Sequence, residues 1–313
     1  MCGSGTALRA GPGPEETVGQ QSRFGVDRCR GRRRERGTAR TDMAAVTVIV
    51  TTYNRPDALG AVLEGFRVQD NRDFEMVIAD DGSTEDTAKL IAELMAHMPF
   101  PVRHVWQEDR GFRAAAVRNR AVAAAQGDYL IFLDGDCIPF PDFVGRHLAL
   151  AEPGWFVAGN RILLSRLFTD RVLREKIPIH SWGFLRWSFA RVRGWINRFV
   201  PIIRLPDGGY RRLKATQWQG AKTCNLAAWR HDLIKVNGFD ERYQGWGHED
   251  ADLVVRLIRA GVQRKEARLA VPVLHLWHPR IDRAGRVRNL SLLKDILASD
   301  RTVAENGLEQ YLR

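Results

Sequence analysis

From residue 46 onward, short apolar runs rich in β-branched residues alternate with longer stretches whose apolar positions recur at helical spacing. Val46 to Val50 reads as a first strand. Asn54-Arg55-Pro56 then opens a helix with Leu59, Val62, Leu63 and Phe66 on one face and proline in its first turn. Phe74 to Ala79 predicts a second strand, Thr87 to Met95 a helix, Val102 to Trp106 a third strand, Arg113 to Gln126 an alanine-rich helix, and Tyr129 to Leu133 a fourth strand. This alternation places the chain in the α/β class, with a mostly parallel twisted sheet flanked by helices.

Polar clusters interrupt the pattern where strands end. Thr51 to Asn54 follows the first strand, Asp80 to Ser83 the second, and Asp134-Gly135-Asp136 the fourth. Ligands of open α/β sheets sit beyond the carboxyl ends of the strands, so all three clusters are expected on one rim.

The 313 residues, 44% hydrophobic and 27% charged, suffice for one large core or two modest ones. A single catalytic domain is expected, with a nucleotide-binding half over 43–150, an acceptor half over 151–280 and a helical tail over 281–313. The net charge of +11 is uneven. Residues 1–42 carry nine arginines against five acids, and residues 165–214 carry twelve basic residues against three acids, which leaves the remainder slightly acidic. The first 42 residues have no apolar period and are expected to be a disordered basic extension; they are either a genuine arm or sequence ahead of a start at Met43. Cys2, Cys29, Cys137 and Cys224 are too scattered for a zinc or redox pair, which fits a reducing cytoplasm. No signal peptide or membrane-spanning run is visible, so a soluble or peripheral protein is expected.

Four groups of residues can do chemistry. Asp134 and Asp136 can face one divalent cation, magnesium or manganese, with Gly135 letting the backbone approach a phosphate; the same residues also suit an ordinary Asp-Gly turn. Gly245-Trp246-Gly247-His248-Glu249-Asp250 precedes an amphipathic helix, and the glycines around Trp246 suit a loop presenting an aromatic platform to a sugar beside a carboxylate base. His275 and His278 lie near the end of the last expected strand, where one of them could join Asp136 on a metal or fill a core position. Arg113, Arg118 and Asn119 stand on the alanine-rich helix, where a guanidinium suits a diphosphate or a surface ion pair.

The ordered set Val48-Ile49-Val50-Thr51-Thr52-Tyr53-Asn54, Asp80-Asp81-Gly82-Ser83, Arg113 to Asn119 and Leu133-Asp134-Gly135-Asp136 resembles the family 2 glycosyltransferases of the GT-A fold. Gly245 to Asp250 is similar to the segment of β-1,4-galactosyltransferases and chondroitin-type polymerases that carries the catalytic acid, and the match extends to about residue 280. The resemblance implies a nucleotide-sugar donor, with uridine contacts at Thr51, Tyr53 and Asp81 and an arginine near the nucleotide at Arg113. It implies ribose and metal contacts at Asp134 and Asp136, a third metal ligand at His275, and a base at Asp250 beside Glu249. Trp246, His248 and Asn225 are expected to touch sugar or acceptor, a glycan or glycolipid of a cell surface. His248 departs from the galactosyltransferase segment, where glycine is usual.

Residues 165–214 match no motif. Leu185, Phe189, Val192, Ile196 and Phe199 recur at helical spacing among Arg186, Arg191, Arg193 and Arg198, with Trp182, Trp187 and Trp195 interleaved. Such a basic amphipathic helix is expected either on the inner face of an anionic membrane or as a lid on the core. Two other functions are weaker fits. A nucleotidyltransferase would carry a glycine-rich loop after the first strand, and Thr51 to Arg55 is not one. An RNA-binding protein would leave the acidic rim without a purpose, so no nucleic-acid partner is expected.

Overall fold

The structure, a computed structural model, describes residues 45–279 and 285–312; the expectation for residues 1–42 falls outside that range. Strand β1 (Val46–Thr52) illustrates how the sheet forms. Val46, Val48 and Val50 enter the hydrophobic cluster on one face of the sheet and Ile49 enters the cluster on the other. Alternate side chains of an extended chain point to opposite faces, so a strand apolar on both suits the centre of a parallel sheet.

Helix α1 (Pro56–Arg67) lays Leu59, Val62, Leu63 and Phe66 on the first face. Strand β2 (Glu75–Asp80), α2 (Glu85–Met95), β3 (Val102–Trp106), α3 (Ala114–Ala124) and β4 (Tyr129–Asp134) follow in the expected order, with ends moved by no more than two residues. β1 pairs in parallel with β2 and β4, and β2 with β3. The short side chains of α3 let it lie close on the second face, where Ala115, Val117, Ala121 and Val122 are buried.

The later half is woven in differently. β5 (Cys137–Pro139), α4 (Phe143–Leu150), β6 (Trp155–Ala158), β7 (Asn160–Leu163), α5 (Arg166–Arg174) and α6 (Phe184–Val192) precede β8 (Asn225–Trp229), α7 (Arg230–Lys235), α8 (Glu249–Arg259), β9 (Gln263–Glu266), β10 (Pro272–His275) and α9 (Arg286–Ala298). The main sheet runs β3-β2-β1-β4-β8-β6-β9, with β8 antiparallel to both neighbours, and a small sheet runs β5-β10-β7. Together they form the α/β architecture of the GT-A fold. Helix α9 is followed by irregular chain and a short 3-10 turn, Leu308–Tyr311.

Two expectations are corrected here. Asn225, expected at the acceptor, is 1% exposed, and its amide is consumed inside the protein. It donates to the carbonyls of Asn160 and Val271 and accepts from His147 Nε2, so it knits β8 to the small sheet. The single helix expected through Phe199 ends at Val192. Gly194 takes φ +68°, and the amides of Gly194 and Trp195 bond back to the carbonyls of Arg191 and Ala190, a paired C-terminal cap that turns the chain. Ile196 is thereby buried against Leu164 instead of extending the helix.

Candidate active site

The loops after β1, β2 and β4 open on a cavity of about 670 Å³. Thr51, Tyr53, Asp81, Asp134 and Asp136 line it from the sheet; Trp246, His248, Glu249 and Asp250 line it from the start of α8; and His275 and His278 close it beyond β10. Residues far apart in sequence therefore share one cleft. Arg113 and Asn225 are not among its lining.

At the β2 end, Asp81 accepts from the backbone N–H of Arg113 at 2.8 Å and from Gln107 Nε2 at 2.6 Å. Burial pushes its carboxyl pKa up against these bonds. Arg113 thus serves through its backbone, while its guanidinium turns to the carbonyl of Glu108. Of Arg113 and Arg118, it is Arg118 that lines the cleft. Tyr53 is held at the rim by donating to Asp109 at 2.9 Å.

Arg118, 4% exposed, joins the two halves of the site. It reaches Thr51 Oγ1, Asp134 Oδ1 and Glu249 Oε1, each at 3.2 Å, and lies 3.8 Å from Asp250 Oδ1. Burial works against its charge, but the surrounding acids outweigh burial and raise its pKa. Burial also pushes Asp134 up to about 6, with Asp136 and Asp250 adding to the shift and Arg118 opposing it. Burial and the charge of Asp250 raise Glu249 to about 7, and its Oε2 has no hydrogen-bond partner. Asp250 differs: it faces the cleft, and Thr223 Oγ1 donates to it. The last acid of the cluster, Asp252, is structural, since its buried pair with Arg256 fastens α8 to the carbonyls of Val236 and Gly238.

The pairing of β5 with β10 sets His275 opposite Cys137, next to Asp136. One oxygen of Asp136, Oδ2, lies 3.5 Å from His275 Nε2 and 3.5 Å from His278 Nε2. Burial lowers the His275 pKa to about 4, so its ring is neutral and a lone pair is free for a cation. His278 places Nδ1 2.7 Å from the carbonyl of Pro279, which can only accept, so Nδ1 donates there and Nε2 is the ring nitrogen turned to Asp136. A carboxylate and imidazole nitrogens are a donor set that fits a divalent transition metal. Cys137 also approaches, but burial holds its thiol protonated, and it donates to the other oxygen of Asp136. Among the described residues, the compact cluster of possible ligand atoms is Asp136, Cys137 and His275; His278 approaches Asp136 from outside it, and Asp134, expected on the metal, has its carboxylate on Arg118.

Backbone shape explains the two glycine-containing loops. A Cβ on Gly135 would meet the carbonyl oxygen of Thr51 at 2.9 Å, so glycine lets the Asp134–Asp136 turn close on β1. Gly135 also lines the cleft. Gly245, Gly247 and His248 all take positive φ, +77°, +106° and +77°. His248 therefore occupies a left-handed position that glycine would take without strain.

Sequence reasoning passed over Arg161, Lys222, Thr223 and Arg286, all of which line the cleft from β7, the segment before β8 and the start of α9. No periodicity or motif marked them. Arg161, Lys222 and Arg286, with Arg55 and Arg118, match the cavity's five acids in number.

Residues 47–202 match the model of glycosyl transferase family 2, and residues 212–278 match that of the N-terminal domain of galactosyltransferase. The chain is 29% identical over 232 residues to the validoxylamine A glucosyltransferase of Streptomyces hygroscopicus, which covers 72% of this chain and 54% of that enzyme. It therefore spans about half the length of that relative. It is 30% identical to the glycosyltransferase-named protein EpsE of Bacillus subtilis, over 67% of this chain and 72% of EpsE. Among solved structures it is similar to the Pyrobaculum calidifontis mannosyltransferase PcManGT in complex with GDP-Man and Mn2+, at 20% identity and a TM-score of 0.55, covering 82% of this chain and 64% of that one. It is also similar to Staphylococcus aureus TarS residues 1–349 in complex with UDP-GlcNAc, at 14% identity and a TM-score of 0.56, covering 85% and 69%. With the fold, the motif order and both family matches in agreement, the chain belongs to the family 2 glycosyltransferases.

Proposed function

We propose that the protein transfers a sugar from a nucleotide diphosphate donor to a hydroxyl group of a glycan or lipid-linked acceptor, with inversion at the anomeric carbon. The observation that carries this reading is the meeting in one cleft of Asp136, with its two histidines, and Asp250, held by Thr223 beside Arg118. Thr51, Tyr53 and Asp81 are assigned to the nucleoside, uridine by preference, and Asp134 to the ribose. Trp246 and His248, on the loop before α8, are assigned to the sugar and acceptor.

Asp136, His275 and His278 would hold a divalent cation, with manganese favoured over magnesium by the imidazoles. Such a cation, when bound, supplies Lewis-acid stabilisation of the departing diphosphate. Asp250 takes the proton of the acceptor hydroxyl as its oxygen bonds to the anomeric carbon, and the electrons of the breaking carbon–oxygen bond leave with the diphosphate. Arg161 and Lys222 supply positive charge from the cavity wall. Glu249, buried against Arg118, contributes to balancing that guanidinium inside the cleft. One displacement suffices, so no covalent sugar–enzyme adduct is required. We place the reaction in the reducing cytoplasm, which the buried free thiols of Cys137 and Cys224 support.

A panel of nucleotide-sugars incubated with and without manganese tests the reading. Slow release of nucleotide from one donor, dependent on metal and lost in Asp136→Ala, is expected. Absence of turnover and of metal-dependent nucleotide binding across the panel overturns it.

A further inference from the structure

Helix α6 has two apolar faces, and the core uses one. Trp187 and Ala190 are buried, packed in the main hydrophobic cluster. Leu185, Phe189 and Val192, spaced by four and three residues on the opposite side, are 82%, 55% and 86% exposed, and Phe184 beside them is 59% exposed. Exposed apolar residues scattered singly need no explanation, but four on one short helix do.

The charge around this face has one sign. Arg186, Arg191, Arg193 and Arg198 are all exposed, and none forms an ion pair among the described residues. Arg193 instead lies over the rings of Phe189 and Trp195. Next to the face, an apolar cavity of about 480 Å³ runs between α5 and α6, lined by Phe168, Ile177, Trp182 and Trp195 with Arg171 and Arg186 among its lining. Arg166, at the start of α5, stacks on Trp277, which stands in sequence between the two histidines that face Asp136.

We propose that the outward face of α6 docks the protein on an anionic lipid bilayer. Apolar side chains ringed by unpaired arginines suit the boundary between headgroups and acyl chains, where the former find hydrocarbon and the latter find phosphate. The corrected geometry strengthens this assignment, because the capped end at Gly194 keeps the exposed stripe within α6 and sends Ile196 into the core. Docked in this way, the protein would meet a lipid-linked acceptor at the surface that carries it.

Flotation of the full chain with vesicles of phosphatidylcholine, alone or mixed with phosphatidylglycerol, tests the inference at low salt with no donor present. The protein is expected to float only with the anionic vesicles. Leu185→Ser/Phe189→Ser/Val192→Ser and, separately, Arg186→Gln/Arg191→Gln/Arg193→Gln should each lower binding roughly tenfold while melting temperature and donor hydrolysis stay unchanged. Arg32→Gln/Arg33→Gln/Arg34→Gln, in the basic stretch before Met43, should leave most of the binding intact. Equal flotation with neutral vesicles, binding that survives both α6 variants, or binding lost only with the residue 32–34 variant overturns the proposal. Loss of donor hydrolysis in the wild type would bear on the transfer reading alone.

Discussion

The two halves of the cleft are built by different means. The wall assigned to the donor comes from consecutive parallel strands, β1 to β4, whose end loops fall on one rim because right-handed crossovers bring each new strand back beside an earlier one. The wall assigned to the acceptor is assembled from distant pieces: β8 inserted antiparallel beside β4, β10 paired with β5 and β7, and α8 anchored by its buried Asp252–Arg256 pair. Arg118 makes ionic contact with both walls, through Asp134 on one side and Glu249 on the other. A site built in this way can vary its acceptor wall while the donor wall is preserved by the sheet.

Substitutions should separate the halves. Asp250→Asn removes the base, which Thr223 holds on the late wall, so turnover should fall about 100- to 10,000-fold while donor affinity holds, as read by separate determination of kcat and KM. Equal losses in both would mean that Asp250 binds donor instead. Arg118→Met cuts the link between the walls and leaves buried acids without their cation. Denaturant unfolding should then show a loss of about 3–5 kcal/mol, and a neutral result would mean that the walls are held together by other contacts. Gly135→Ala crowds the donor wall alone, and the contact with the Thr51 carbonyl should lower stability by about 1–3 kcal/mol.

The smallest effect concerns pH. Glu249 is raised to about 7 by burial, so its folded state favours the protonated form. The stability this contributes is complete below the unfolded carboxyl pKa and is lost as pH rises through about 7. The melting temperature of wild type relative to Glu249→Gln should therefore fall between about pH 5 and about pH 8. A constant difference would show that Glu249 is ionised throughout.

The same contrast explains what was legible in the sequence. β1 to β4 and their loops could be read because strand period, turn chemistry and motif order are local signals. His278 could be singled out as a polar residue in an apolar run, but its parity with His275 depends on β10 lying between β5 and β7, which no local pattern encodes. Arg161 and Thr223 reach the cleft through non-local pairing and carried no signal. Arg113 and Arg118 were indistinguishable by residue type; burial on the inner face of α3 selects Arg118. Asn225 failed in the opposite direction, as a polar residue in an apolar strand whose partners are backbone carbonyls and a buried histidine. The premature end of α6 was signalled by Gly194, which the hydrophobic periodicity alone ran past.

Calorimetric titration of the donor nucleotide in the presence of manganese, on wild type, Asp136→Ala and Asp250→Asn, tests the division of the cleft most directly. Metal-dependent binding should vanish in Asp136→Ala and persist unchanged in Asp250→Asn. Metal-dependent binding retained by Asp136→Ala, or lost in Asp250→Asn as fully as in Asp136→Ala, would contradict the assignment of the two walls.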